Sequence, residues 1–104
     1  MMKMIIEINE EKLKKDDSSK SNAFYNTLEE VFKQISIKYI KNNNIITIHS
    51  EDNVNYYTRF GKVVNILKRK IWFLDNVTSW KLYESYNDEN KISEEDLLLR
   101  YKRE

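Results

Sequence analysis

A chain of 104 residues that is 40% hydrophobic and 12% aromatic has material for one domain with one modest core. Eighteen basic residues against seventeen acidic ones leave a net charge of +1, so attraction to nucleic acid or an acidic membrane has to come from a local patch. The lack of cysteine excludes disulfides, thiolate nucleophiles and sulfur-ligated metals, and a single glycine excludes a glycine-rich phosphate loop.

The opening MMKMIIEIN has too short an apolar run before Glu7 for a signal peptide, and no later stretch approaches the ~20 apolar residues of a membrane span. The expectation is a soluble, cytoplasmic protein with no membrane partner. Residues 2–9 alternate as a strand, with Met4, Ile6 and Ile8 on one face and Lys3, Ile5 and Glu7 on the other. The following NEEKLKKDDSSKS reads as a solvated loop. Ser18, Ser19 or Ser21 can then cap a helix over 22–34, on which Phe24, Leu28, Val31 and Ile35 form a stripe flanked by Tyr25 and Phe32.

From Ile35 the period changes from helical to alternating. A two-residue turn at Asn42 and Asn43 predicts a hairpin that pairs Tyr39 with Ile46 and Ile37 with Ile48 on the buried face. Ile40 with Ile45 and Lys38 with Thr47 make its other face.

Residues 50–75 carry the longest helical period. Tyr56, Tyr57, Phe60, Val63, Val64, Leu67, Ile71 and Leu74 fall in one arc, which makes this helix the expected centre of the core. Ser50 suits the N-cap, Glu51 and Asp52 suit the first turn, Lys68, Arg69 and Lys70 suit the C-terminal end, and Asn76 suits the left-handed residue that stops it. Gly61, inside the helix, costs about 1 kcal/mol relative to alanine. That cost is either tolerated or explained by a backbone passing close by.

Residues 77–83 read as the last strand, with Thr78, Trp80 and Leu82 on one face, and SEED at 93–96 resembles a capping box that opens a short helix over 94–101. The order predicts a single α+β domain over 1–104: a ferredoxin-like split βαβ (βαββαβ) two-layer sandwich with an additional short C-terminal helix. Its uncovered sheet face would show Lys3, Ile5, Glu7, Lys38, Ile40, Ile45, Thr47, His49 and Lys81. The terminal helix, a second copy or a partner could lie over it.

His49, the one histidine, sits beside Ser50, but adjacent strand residues point to opposite faces and no spaced carboxylate set accompanies them. No catalytic residue, metal site or cofactor is predicted. The outer arc of the 50–75 helix sets Ile66 and Phe73 among Arg59, Lys62, Arg69 and Lys70, and apolar residues beside cations resemble a protein interface more than a phosphate-tracking surface. The expectation is therefore a small non-enzymatic binding protein that contacts a protein partner through those six residues, with a homodimer as one arrangement. Abundant lysine, asparagine and isoleucine without proline fit the AT-rich codons of a low-GC bacterium or a phage or other mobile element, where an inhibitor or accessory protein of anti-defence or immunity type fits the size. Two other classes remain open: a nucleic-acid-binding module using the same basic face, and a small-ligand sensor or enzyme on the open sheet face near His49, Lys38 and Lys81.

Overall fold

The computed structural model describes residues 2–16, 18–49, 55–85 and 92–102, the side chains at 16, 18, 19, 55 and 56 excepted. The predicted cap at Ser50 with Glu51 and Asp52 and the Tyr56 side chain lie outside the described residues. In chain order the elements are β1 (Met2–Ile8), α1 (Glu10–Asp16), α2 (Ser18–Ile35), β2 (Ile40–Asn42), β3 (Ile45–His49), α3 (Asn55–Leu67), α4 (Ile71–Leu74), β4 (Val77–Ser85), β5 (Ile92–Asp96) and α5 (Leu97–Tyr101). The fold is α+β, an open five-stranded antiparallel sheet in the order β2-β3-β1-β4-β5.

β1 alternates as its sequence requires, burying Met2, Met4, Ile6 and Ile8, and it is the middle strand, paired with β3 and β4. The inward residues of the sheet meet the stripe of α2 (Phe24, Leu28, Val31, Phe32, Ile35), and Phe60, Val63 and Leu67 of α3 complete that layer. On β4 the alternation breaks once. Ile8 pairs with Val77 while Glu7 pairs with Ser79, so Thr78 is the extra residue of a bulge. The bulge turns Val77 inward together with Trp80 and leaves Thr78 exposed, donating its Oγ1 hydrogen to the Glu7 carbonyl at 3.3 Å.

Four sequence expectations are corrected. The stretch after β1 is a helix rather than a loop: Asn9 caps it by accepting from the Lys12 N–H at 3.1 Å, and Leu13 is buried. Tyr25 of α2 donates to Glu10 at 2.7 Å, which fastens α1 to α2; burial first, then that carboxylate, pushes the Tyr25 hydroxyl pKa up. The hairpin turns at Asn43–Asn44, so Ile40 pairs with Thr47, Lys41 with Ile46 and Asn42 with Ile45. Asn43 takes φ 55°, and Asn44 is held by Ile8, accepting its N–H at 2.8 Å and donating to its carbonyl at 3.0 Å. The SEED stretch is an edge strand, Ile92–Asp96, and the helix start moves to Asp96, whose side chain accepts from the Leu99 N–H at 3.0 Å.

The long helix expected over 50–75 is broken after Leu67, where α3 ends. Arg69 and Lys70 donate to carbonyls three residues back, and Lys70 then turns extended (φ −100°, ψ 106°) before α4 begins. No glycine or proline stands at 68–70, so the break is imposed by packing. It lets Phe73 join Phe24, Trp72 and Trp80 at centroid distances of 6.4, 6.2 and 5.1 Å. Asn76 stops α4 with its side chain, donating to the Trp72 carbonyl at 2.7 Å, rather than by adopting a left-handed backbone. Among the described residues nothing lies within 4 Å of a Cβ built on Gly61, so no close-passing backbone explains that glycine.

α2 stops at a left-handed residue that is not glycine. Ser36 has φ 60°, its N–H donates to Lys33 at 3.1 Å, and the Ile37 N–H donates to Phe32 at 3.0 Å, the paired bonds of a Schellman stop. The Ser36 side chain is exposed, so Ser36→Gly removes backbone strain without opening a cavity in the core. It is expected to raise stability by about 0.5–1 kcal/mol, read as a higher urea midpoint with an unchanged slope.

Candidate binding surface

The six residues expected to form one surface do not stay together. Lys62 on α3 and Arg69 and Lys70 in the following turn are exposed. Arg59 is half-buried and its Nη1 donates to the Ser36 carbonyl at 3.2 Å, which ties α3 to the end of α2. Ile66 packs against the core, and Phe73 is 0% exposed. Ile71, placed inside by a continuous helical wheel, is instead 74% exposed, because the break at Lys70 rotates α4 relative to α3. The apolar centre of the predicted surface is therefore gone.

The other face of the sheet is where unburied apolar side chains gather. Outward positions follow from the registers. One row crosses the sheet as Ile40, Thr47, Ile5, Lys81, Asp96, and the next as His49, Lys3, Tyr83, Glu94. On the opposite side lie Asn42, Ile45, Glu7 and Ser79. Ile40 is 62% exposed, Ile45 38% and Ile92 67%, with Ile5 half-buried between neighbouring strands. α5 does not cover this face. Its Leu97 is buried and its Tyr101 ring lies 6.0 Å from Trp80 and beneath the Lys68 ammonium, 5.5 Å away, which places the helix beside α3.

Two hollows mark the open face. One, of about 380 Å³, is lined by Lys3, His49, Tyr83, Ser85 and Ile92; the other, of about 570 Å³, lies where Ser79 and Lys81 meet Leu98 and Leu99 of α5. In the first, the Lys3 ammonium stands 5.5 Å over the Tyr83 ring, whose hydroxyl donates to Glu94 at 3.4 Å. Lys81 pairs with Glu94 at 2.9 Å, and that carboxylate holds the ammonium above its usual pKa. His49 is thus brought beside Lys3 and Tyr83, away from Lys38 and Lys81 with which the ligand-site reading had grouped it. Among the described residues no three histidine, aspartate or glutamate side chains converge on a point that could hold a metal ion.

Sequence reasoning placed most of this face correctly, down to Ile40, Ile45, Thr47 and His49. It missed Ile92, Glu94 and Asp96, because an acidic SEED stretch carries a helix-start signal and only its pairing with β4 makes it a strand. No protein-family model, curated protein or solved structure matches the chain. Among the described residues no helix is long and apolar enough to cross a membrane.

Proposed function

We propose that this protein is a small binding protein that acts by protein–protein contact rather than by catalysis, and that the open sheet face is its contact surface. One observation carries the reading: Ile5, Ile40, Ile45 and Ile92 share a sheet face on which none of the described helices packs, while Ile66 and Phe73 have withdrawn into the core. Ile40, Ile45 and Ile5 neighbour one another across β2, β3 and β1, Lys3, Glu7 and Lys81 stand among them, and Ile92 lies at the β5 corner; apolar side chains set among charges fit a protein interface better than a solvated surface. The sheet is read here as ferredoxin-like, with β5 and α5 as additions. The order β2-β3-β1-β4, with α1 and α2 before β2 and α3 and α4 before β4, supports that assignment. The AT-rich composition supports a mobile-element setting and an inhibitor or accessory role within it.

The test is affinity capture from nuclease-treated host lysate with three forms of the protein. The unaltered protein is expected to retain a specific protein, and the pair Ile40→Glu with Ile92→Glu to lose it with an unchanged circular dichroism spectrum. Reversing the charges of Lys62, Arg69 and Lys70 is expected to leave capture intact. The opposite pattern, or salt-sensitive retention of nucleic acid lost on that charge reversal, would move the function to α3 and its following turn.

A further inference from the structure

We propose that the occupant of the open sheet face is a second copy of this chain, docked face to face about a two-fold axis that crosses the strands over Ile5. This rests on the reading of that face as the binding surface and adds the identity of what binds there. β1 is the middle strand of the sheet, and its outward side chains run Lys3, Ile5, Glu7. Alternate residues of a strand stand about 6.6 Å apart. Lys3 and Glu7 therefore flank Ile5 at equal distances, too far along the strand to pair comfortably with each other. Among the described residues neither forms an ion pair, the Lys3 ammonium standing only over the Tyr83 ring at 5.5 Å, whereas the outward Lys81 and Glu94 already have one another at 2.9 Å. The central strand thus offers one cation and one anion placed symmetrically about an isoleucine.

An axis across the strands lays β1 antiparallel over β1 of the second copy. Ile5 then meets Ile5 of the second copy, Lys3 meets Glu7 of the second copy, and Glu7 meets Lys3 of the second copy. One charge pattern supplies two ion pairs, as a self-complementary interface requires. Stacked sheets lie about 10 Å apart, a gap that an extended lysine and glutamate span together. An axis along β1 would instead stack Lys3 on Lys3 and Glu7 on Glu7, which like-charge repulsion disfavours. The favoured axis lays the Ile5 row on itself, so Lys81 meets Lys81 and Asp96 meets Asp96 of the second copy; because these two sit on neighbouring paired strands, each Lys81 also has Asp96 of the other copy about 4.8 Å to the side, and its charge is already held by Glu94 at 2.9 Å. The favoured axis also carries the α5 corner, where exposed Leu99 borders Ser79 and Lys81, towards the hollow beside Tyr83 and Ile92 of the second copy.

Five strands about 4.8 Å apart, with outward rows about 6.6 Å apart, give a footprint of about 400 Å² per copy. A standard specific interface buries about 800 Å² per partner. The dimer is accordingly weak and depends on concentration.

Sedimentation velocity of the full chain, from micromolar to near-millimolar concentration, tests this. The unaltered protein is expected to shift from monomer to dimer across that range. Lys3→Glu alone and Glu7→Lys alone each turn both ion pairs into like-charge contacts and are expected to raise the dissociation constant about tenfold or more. Mixing the two single variants is expected to restore association, because the glutamate introduced at position 3 faces the lysine introduced at position 7, and the native Glu7 and Lys3 face each other. The double variant is likewise expected to dimerise. Circular dichroism of each variant establishes that it is folded. A protein that stays monomeric throughout, or a dimer insensitive to both single variants, overturns the proposal. If Ile40→Glu with Ile92→Glu still abolishes capture of a different protein, the face remains the binding surface and only the identity of its occupant fails.

Discussion

Phe73→Ala is expected to lower stability by about 3–5 kcal/mol, while Ile71→Ala, two residues earlier, changes it by about 0.5 kcal/mol or less. The contrast follows from the turn at Lys70. Phe73 is 0% exposed, stacks on Phe24 at 6.4 Å with an interplanar angle of 11°, and meets Trp80 edge-on at 5.1 Å. Removing its ring strips aromatic contacts from three elements and leaves a cavity that α2, α4 and β4 cannot all close. Ile71 projects outward and loses little when truncated. Urea denaturation of the two variants, followed by circular dichroism, checks the pair. A larger loss for Ile71→Ala would mean that the helix runs straight through 68–70 and that Phe73 faces solvent after all.

The same residues show why the chain was only partly legible. A helical wheel assumes a continuous axis, and nothing local at Lys68, Arg69 or Lys70 announces that the axis stops. The reason lies in Phe24 and Trp80, distant in sequence. The hairpin failed differently. Strand alternation carries parity alone, so moving the turn from Asn42–Asn43 to Asn43–Asn44 shifts the pairs by two residues and leaves every face unchanged. Ile46 and Ile48 point inward and Ile45, Thr47 and His49 outward under either register. What chose between them is the grip of Ile8 on Asn44, a contact spanning 36 residues. α1 was hidden because a seven-residue helix with one buried leucine has almost no apolar period to read. β1, whose period is long and uninterrupted, was readable nearly residue by residue; in α2 the buried stripe was readable, but the helix begins at Ser18 and so takes in the serines expected to cap a start at 22.

Most of the open face was legible for the same reason: outward positions are those left over once the buried ones are assigned. Its β5 edge was not. Ser93, Glu94 and Glu95 are exposed or half-buried, and acids in the first turn of a helix look the same as acids that guard a sheet edge against another strand. The pairing of Tyr83 with Glu94 and the Lys81–Glu94 ion pair resolve the ambiguity, and both need β4 alongside.

Trp80→Ala is expected to cost about 3–5 kcal/mol, against a total of about 5–15 kcal/mol for a domain of this kind. Trp80 is fully buried and pairs with Ile6 of β1. It touches Phe73 at 5.1 Å and Tyr101 at 6.0 Å, and donates its indole N–H to the Met4 sulfur at 3.3 Å. It therefore joins both central strands to α4 and α5. This aromatic group lies in the same core as Phe60, Val63, Leu67 and Leu74 of the 50–75 stretch, and Phe73 of that stretch belongs to both. Trp80→Phe keeps a ring in place while giving up the N–H contact and some volume, and is expected to cost about 1–3 kcal/mol. Equilibrium unfolding in urea reads both, with the fluorescence of Trp72 as a second probe. A loss below about 1 kcal/mol for Trp80→Ala would show that β4 is held by its hydrogen bonds and not by this cluster. Because Trp80 and its outward neighbours Lys81 and Tyr83 alternate on one strand, the position of the open face depends on this residue. Partner binding is then expected to fail in Trp80→Ala together with folding, and to survive in Trp80→Phe.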